Sequence, residues 1–153
     1  MSAEIEVRQA RLTDLDDLAL LFDGYRQFYL QPSDVDGARR FLSDRFEHLQ
    51  SVIFIAFVDG RALGFTQLYP SFSSVSMQRL YILNDLFVHA DGRRHGLGRL
   101  LLRAAAAFGR TVGAKELQLQ TALDNHAAQA LYESEGWIRE QSFYVYELSL
   151  KPK

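Results

Sequence analysis

Between Ile82 and Arg110 the chain reads ILNDLFVHADGRRHGLGRLLLRAAAAFGR. An apolar run, Leu83 to Val88, leads into a seven-residue segment that holds three of the ten glycines, Gly92, Gly96 and Gly98. An Ala/Leu-rich stretch of strong helix formers follows. This order predicts a strand, a tight loop and a helix. At the helix start the backbone amides lack intrahelical partners and the macrodipole is positive. Gly96 and Gly98 carry no Cβ, and Arg93, Arg94 and Arg99 add positive charge, so an anion such as a phosphate is the expected occupant.

Spacing tests which phosphate loop this is. The dinucleotide fingerprint G-x-G-x-x-G needs glycine at position 101, where the chain has Leu101, and the Gly-Lys-Ser/Thr of a P-loop is missing. The pattern R-x-x-G-x-G does fit, as Arg93, Arg94, His95, Gly96, Leu97 and Gly98. It resembles the acetyl-coenzyme A loop of the Gcn5-related N-acetyltransferase (GNAT) family. After the Ala-rich helix, Gly109 and Gly113 close it. Glu116 to Ala122 then alternates Leu117 and Leu119 with Gln118 and Gln120, predicting a βαβ unit. Asp124 or Asn125 can cap a short helix bearing Ala128, Leu131 and Tyr132, ended by Gly136 before Trp137. Asn125, Leu131, Tyr132, Gly136 and Trp137 match the family's second motif.

The rest of the chain reads in order. Glu4 to Ala10 is a short strand. Thr13 caps a helix carrying Leu15, Leu18, Leu21, Phe22, Tyr25, Phe28 and Tyr29 inward, a pattern that stops at Pro32. A second helix starts near Val35 or Asp36 and turns Ala38, Phe41, Leu42, Phe46 and Leu49 inward. Val52 to Val58 and Ala62 to Tyr69 form a hairpin through Asp59-Gly60. Pro70 interrupts the partner strand, and a serine-rich loop with Phe72 follows. Phe143 to Leu150 alternates as a final strand beside one near Trp137.

The chain has 153 residues, 48% of them hydrophobic, a net charge of −2 and no cysteine. These values fit one soluble domain and exclude disulfides, thiolate zinc sites and a cysteine nucleophile. No broad basic face is present for nucleic acid, the four histidines show no ligand-pair spacing, and no run reaches membrane-spanning length. The amino terminus carries Glu4 and Glu6 where a signal peptide needs a basic start. A cytoplasmic protein without metal, membrane or nucleic-acid partner is expected.

The resemblance implies an α/β (α+β) GNAT fold over residues 1–153. Its central sheet is mixed and mostly antiparallel, of about seven strands, with about four helices on both faces. It implies acetyl-coenzyme A as co-substrate, held by Arg93, Arg94, His95, Gly96, Leu97, Gly98 and Arg99, by the main chain of Phe87 and Val88, and by Asn125 and Tyr132. Tyr132 is the implied general acid toward the thiolate, a phenol of pKa near 10 being close to an alkyl thiol. Asp85 is a carboxylate inside an apolar strand, a costly placement unless the group is paired or functional. It is read as amine binder or base, with a structural salt bridge as the alternative. YILNDLFV looks like the corresponding strand of the diamine and Hpa2-like acetyltransferases, the former carrying Glu-Asp where this chain has Asn84-Asp85. Tyr29, Asp34, Tyr69, Phe72, Asn84 and Asp85 are the expected acceptor-side residues. The expected reaction is acetyl transfer to a small primary amine. A protein lysine or N-terminal amine is one alternative, and a non-catalytic acyl-coenzyme A binding or sensing module is another. A homodimer pairing through late strands is permitted.

Overall fold

Positive φ angles at Asp59 and Gly60, 50° and 80°, turn the chain through a tight hairpin, as Asp-Gly between apolar runs predicts. The computed structural model describes residues 2–152. We label its elements β1 (Ile5–Gln9), α1 (Leu15–Phe28), α2 (Val35–Glu47), β2 (Val52–Val58), β3 (Arg61–Ser73), β4 (Gln78–Val88), α3 (Leu97–Thr111), β5 (Leu117–Gln118) and α4 (His126–Ser134). Short 3₁₀ turns precede α1 at Leu12–Asp14 and α3 at Ala90–Gly92. Two compact units result, residues 1–120 and 121–153.

In the first unit the five strands lie in chain order, antiparallel from β1 to β4 and parallel between β4 and β5. The parallel step is the βαβ crossover through α3 that the sequence predicts. One face of the sheet carries α1 and α2. Leu15, Leu18, Phe22, Ala38 and Leu42 are buried with Ile53, Ile55 and Phe65. Side chains alternate along a strand, so Phe54 takes the opposite face, where Phe108 of α3 meets it at 5.9 Å and meets Tyr81 at 5.3 Å. Leu97, Leu101, Leu102 and Ala105 complete that second core. Each such leucine or phenylalanine contributes roughly 1.5–3 kcal/mol by leaving water.

Four local expectations are corrected. Thr13 does not cap α1: Asp14 leads into the helix, its carboxylate accepting from the Arg11 amide and pairing with Arg8. The first helix ends at Phe28, ahead of Pro32, because Leu30 adopts a φ of 64°. Pro70 does not interrupt β3. It pairs with Tyr81, beyond the last β2 partner at Leu68, where β3 has a free edge that tolerates a missing N–H. The sheet has five strands among the described residues where about seven were expected. β5 covers only Leu117–Gln118, and the segment from Trp137 to Leu150 contains no strand. Apolar alternation is necessary for a half-buried strand, but a ladder needs a partner backbone, and periodicity does not specify one.

Candidate active site

The ladder between β3 and β4 slips at one point. Gln67 pairs with Asp85 and Leu68 pairs with Leu83, leaving Asn84 as an extra residue on β4. This bulge changes which way the strand faces. Leu83 lies opposite Leu68, on the α3 side. Without the extra residue Asp85, two positions on, would point the same way; with it, Asp85 lies opposite Gln67 on the α1/α2 side. The bulge therefore delivers a carboxylate to the face that also carries Phe65 and Phe87.

Asp85 is 1% exposed and sits in a neutral hydrogen-bonded setting. Its Oδ2 accepts from Gln67 Nε2 at 2.6 Å, and its Oδ1 accepts from Asn84 Nδ2 at 2.8 Å. Thr66 Oγ1 donates to its backbone carbonyl at 2.7 Å. Burial pushes the carboxyl above its ordinary value, and the two amide donors pull it part of the way back. No cation within ion-pair distance faces it among the described residues, so the salt-bridge alternative has no partner there. Asn84 is itself exposed, and its carbonyl accepts from the Tyr25 hydroxyl at 3.1 Å. Tyr69 lies two residues along β3 from Gln67, and burial followed by the Asp85 charge drives its phenol well above the usual range.

Beyond Asp85, β4 continues through Phe87 and Val88. β5 pairs only with Tyr81 and Ile82, so from Leu83 onward that edge of β4 has no strand partner among the described residues. The Phe87 ring packs on the core beside Phe65, and a Cβ on Gly24 of α1 would come within 3.1 Å of it. The main chain remains available at this edge. The helix that follows starts with Gly96 in the left-handed region at φ 68°, where a Cβ would meet nothing within 4 Å. No side chain caps α3, and its first turn carries no acidic residue. Arg93 and Arg94 are exposed, His95, Gly98 and Arg99 are partly buried, and the Leu97 side chain is in the core, leaving its amide for the loop. An uncapped helix N-terminus behind a glycine, flanked by arginines, fits a pyrophosphate by charge and by space.

The other residues expected from the sequence to border an acceptor lie on the segment joining α1 to α2 and on the outer β3–β4 hairpin. Tyr29 is half exposed and meets Tyr25 edge-on at 5.1 Å. The Asp34 carboxylate caps α2 by accepting from the Gly37 amide at 2.9 Å. Phe72 is 73% exposed, across the ladder from Arg79. In the second unit, Asn125 is the residue that caps α4, its Oδ1 accepting from the Ala128 amide at 3.2 Å. Tyr132 lies in α4 with its ring 6.1 Å from that of Trp137. Gly136, at φ 89°, closes the helix and returns the Trp137 amide to the Tyr132 carbonyl.

Three residues of the first unit escaped the sequence reading. Gln67 is fully buried and opposite Asp85, and Thr66-Gln67 inside the apolar run of β3 was a signal of the kind that singled out Asp85. Asp23 looks like one charge on an amphipathic helix, yet it is buried and holds the α1–α2 segment through Gln27, Ser33 and the Asp34 amide. Arg45 reads as an outward-facing charge, yet its guanidinium lies 4.5 Å over the Phe41 ring and its Nε is buried.

Comparison with known proteins agrees with this architecture. Residues 18–137 match the family model described as acetyltransferase (GNAT) family. The chain is 48% identical to an uncharacterized N-acetyltransferase, YhfO, of Bacillus subtilis, over 97% of this chain and 100% of that protein. A crystal structure of a probable acetyltransferase superposes with a TM-score of 0.91 at 41% identity, covering 97% of this chain and 99% of the other. An aminoglycoside N-acetyltransferase in complex with CoA shares the fold, with a TM-score of 0.79 at 20% identity over 97% of each chain. The chain belongs to the acetyltransferase (GNAT) family, whose members are acetyl-coenzyme A-dependent acyltransferases.

Proposed function

We propose that residues 1–153 act as one N-acetyltransferase domain that transfers the acetyl group of acetyl-coenzyme A to a primary amine of a small molecule, by direct attack in a ternary complex. The observation that carries this reading is Asp85, a fully buried carboxylate without a cationic partner, turned by a bulge toward the α1/α2 face of the sheet. A protonated amine is the complement of such a group. The fold shared with an aminoglycoside N-acetyltransferase, an enzyme named for a small-molecule acceptor, is consistent with it.

The co-substrate supplies a thioester whose acyl carbon is open to an amine. Gly96, the amides of Leu97 and Gly98, and Arg93, Arg94 and Arg99 hold its phosphates, with His95 and Asn125 as further contacts. Asp85 first binds the acceptor as an ammonium and then takes its proton, directly or through water, freeing the nitrogen lone pair for attack. A carboxyl raised by burial is closer in pKa to the proton it must accept than an ordinary aspartate is. The backbone N–H of Phe87 or Val88, on the unpaired edge of β4, donates to the oxygen on which negative charge develops. Tyr132 gives its phenolic proton to the departing sulfur. Tyr29, Asp34, Tyr69, Phe72 and Asn84 border the acceptor.

Release of free thiol from acetyl-coenzyme A against polyamines, amino sugars, amino acids and short lysine or N-terminal peptides tests the reading. Turnover with a small amine, reduced about 10²–10⁴-fold by Tyr132→Phe and by Asp85→Asn with acetyl-coenzyme A binding retained, is the expected result. Turnover with peptides alone transfers the reading to protein acetylation, and cofactor binding without turnover leaves a sensing module.

A further inference from the structure

The face of the sheet that carries Asp85 and the helix α2 that covers it each leave one further buried polar atom without a partner. Gln67 is fully buried; its Nε2 donates to Asp85, while its Oε1 has no hydrogen-bond partner. Arg45, in the last turn of α2, also has an unpartnered atom, its buried Nε. No carboxylate forms an ion pair with Arg45 among the described residues. Its position in the final turn favours a cation through the helix dipole, and the stack on Phe41 explains where the guanidinium plane lies. Neither accounts for a buried N–H without an acceptor, which is destabilising when left unmade.

Tyr69 connects the two ends. Strand alternation places its side chain on the same face as Gln67. Burial raises its phenol most, the Asp85 charge raises it further and the Arg45 charge opposes them. The sheet face thus presents a carboxylate, an unsatisfied amide oxygen and a phenol, and α2 over that face carries a guanidinium whose Nε is unsatisfied. A diamine would satisfy the first two and set its second ammonium against the last. A ligand with an ammonium at one end and a carboxylate at the other satisfies all of them. Its N–H groups would meet Asp85 and Gln67 Oε1, and its carboxylate would accept from Arg45.

We propose that the acceptor is an aminocarboxylate, with Arg45 as the residue that selects its carboxylate and Gln67 as a second binder of its amine. This rests on the reading of the chain as a small-molecule N-acetyltransferase with Asp85 at the amine. Arg45 is a specificity residue and takes no part in the chemical step.

The test uses the full chain, acetyl-coenzyme A and matched acceptors: α-amino acids and ω-amino acids of increasing length, each beside its carboxamide, with putrescine, spermidine and kanamycin as amines lacking a carboxylate. The wild-type protein is expected to favour one carboxylate over its carboxamide by at least 10-fold in kcat/KM. Arg45→Met keeps an unbranched apolar stem over Phe41. It is expected to raise KM for that carboxylate 10- to 100-fold with kcat within about threefold and to leave the carboxamide unchanged, while Arg45→Lys restores part of the preference. Equal turnover of carboxylate and carboxamide, preference for a polyamine, or an equal loss for both members of a pair in Arg45→Met overturns the inference and leaves small-amine acetylation standing. Absence of turnover with every acceptor overturns the small-amine reading and this inference with it.

Discussion

Gln67 Nε2 and Asp85 Oδ2 lie 2.6 Å apart across the β3–β4 ladder, joining two side chains that are both buried in the sheet face under α1 and α2. The contact is short for an amide donor. Burial disfavours the charged carboxylate, so the folded protein binds a proton at Asp85 to a higher pH than the unfolded chain does. The sign follows by linkage: stability falls as pH rises from the unfolded pKa through the raised folded one, since the native state holds the extra proton. As the proposed base, Asp85 must be ionised, so kcat/KM with the preferred amine should rise over the same window. A pH profile is expected to show an acid limb above the ordinary carboxylate range, absent from the residual activity of Asp85→Asn. The variant should also lose the corresponding fall in denaturation free energy. An acid limb unchanged in Asp85→Asn would assign it to another group.

Arg8 and Asp14 behave in the opposite sense. Two guanidinium nitrogens donate to the two carboxylate oxygens at 2.8 Å each, and the Asp14 side chain is only 8% exposed. The Arg8 hydrogen bonds hold the carboxyl below its ordinary value, against the opposing effect of burial. A depressed folded pKa gives stability that is present above the unfolded pKa and lost as pH falls through the folded one. Asp14→Asn should lower stability at pH 7 by about 2–3 kcal/mol. That gap should close in denaturant melts as pH is taken below the carboxylate range. A gap independent of pH would mean that shape, rather than charge, explains the pair.

The parts of this fold that local chemistry dictates were legible in the sequence. Asp59-Gly60 demands positive φ and a two-residue turn, the glycines and arginines from Gly92 to Arg99 mark the start of α3, and Asn125 and Gly136 delimit α4. What escaped depended on pairing between distant segments. The bulge at Asn84 is a slip between β3 and β4 that neither strand's own pattern shows, and it decides which face Asp85 takes. Asp23 and Arg45 have spacings that suit a solvated helix face, and only tertiary packing makes them buried or stacked. The alternation of Phe143 to Leu150 was real but did not specify a partner strand.

Gly96 and Gly113 bracket α3 with nearly the same backbone, φ 68° and 73°, and a Cβ on either would meet nothing within 4 Å. Alanine at each position should therefore cost the same strain, about 1 kcal/mol, without a steric clash. Only Gly96 stands at the helix end where the phosphates are proposed to approach the amides. Gly96→Ala is expected to raise KM for acetyl-coenzyme A about 10-fold, while Gly113→Ala shifts the melting temperature equally and leaves that KM unchanged. Equal KM values in the two variants would remove the loop from the binding site.

Asp23 extends the same reasoning to the segment between α1 and α2. Burial pushes its carboxyl up, but donation from the Asp34 amide at 2.7 Å, Ser33 Oγ at 2.7 Å and Gln27 Nε2 at 2.9 Å outweighs this and holds it below the usual range. One ionised oxygen pair thus fixes the segment between α1 and α2, with the left-handed Leu30 and the capping Asp34 within it. Asp23→Ala leaves three donors without their acceptor and should cost about 2 kcal/mol. The loss should be greatest near neutral pH and shrink as acid protonates Asp23 in the wild-type protein. If this segment borders the acceptor, as Tyr29 and Asp34 suggest, KM for the amine should rise while KM for acetyl-coenzyme A stays constant. Hydrogen exchange at the Asp34 amide should accelerate in parallel. Faster exchange with an unchanged amine KM would place the acceptor away from this loop, and unchanged exchange would show that the carboxylate does not hold it.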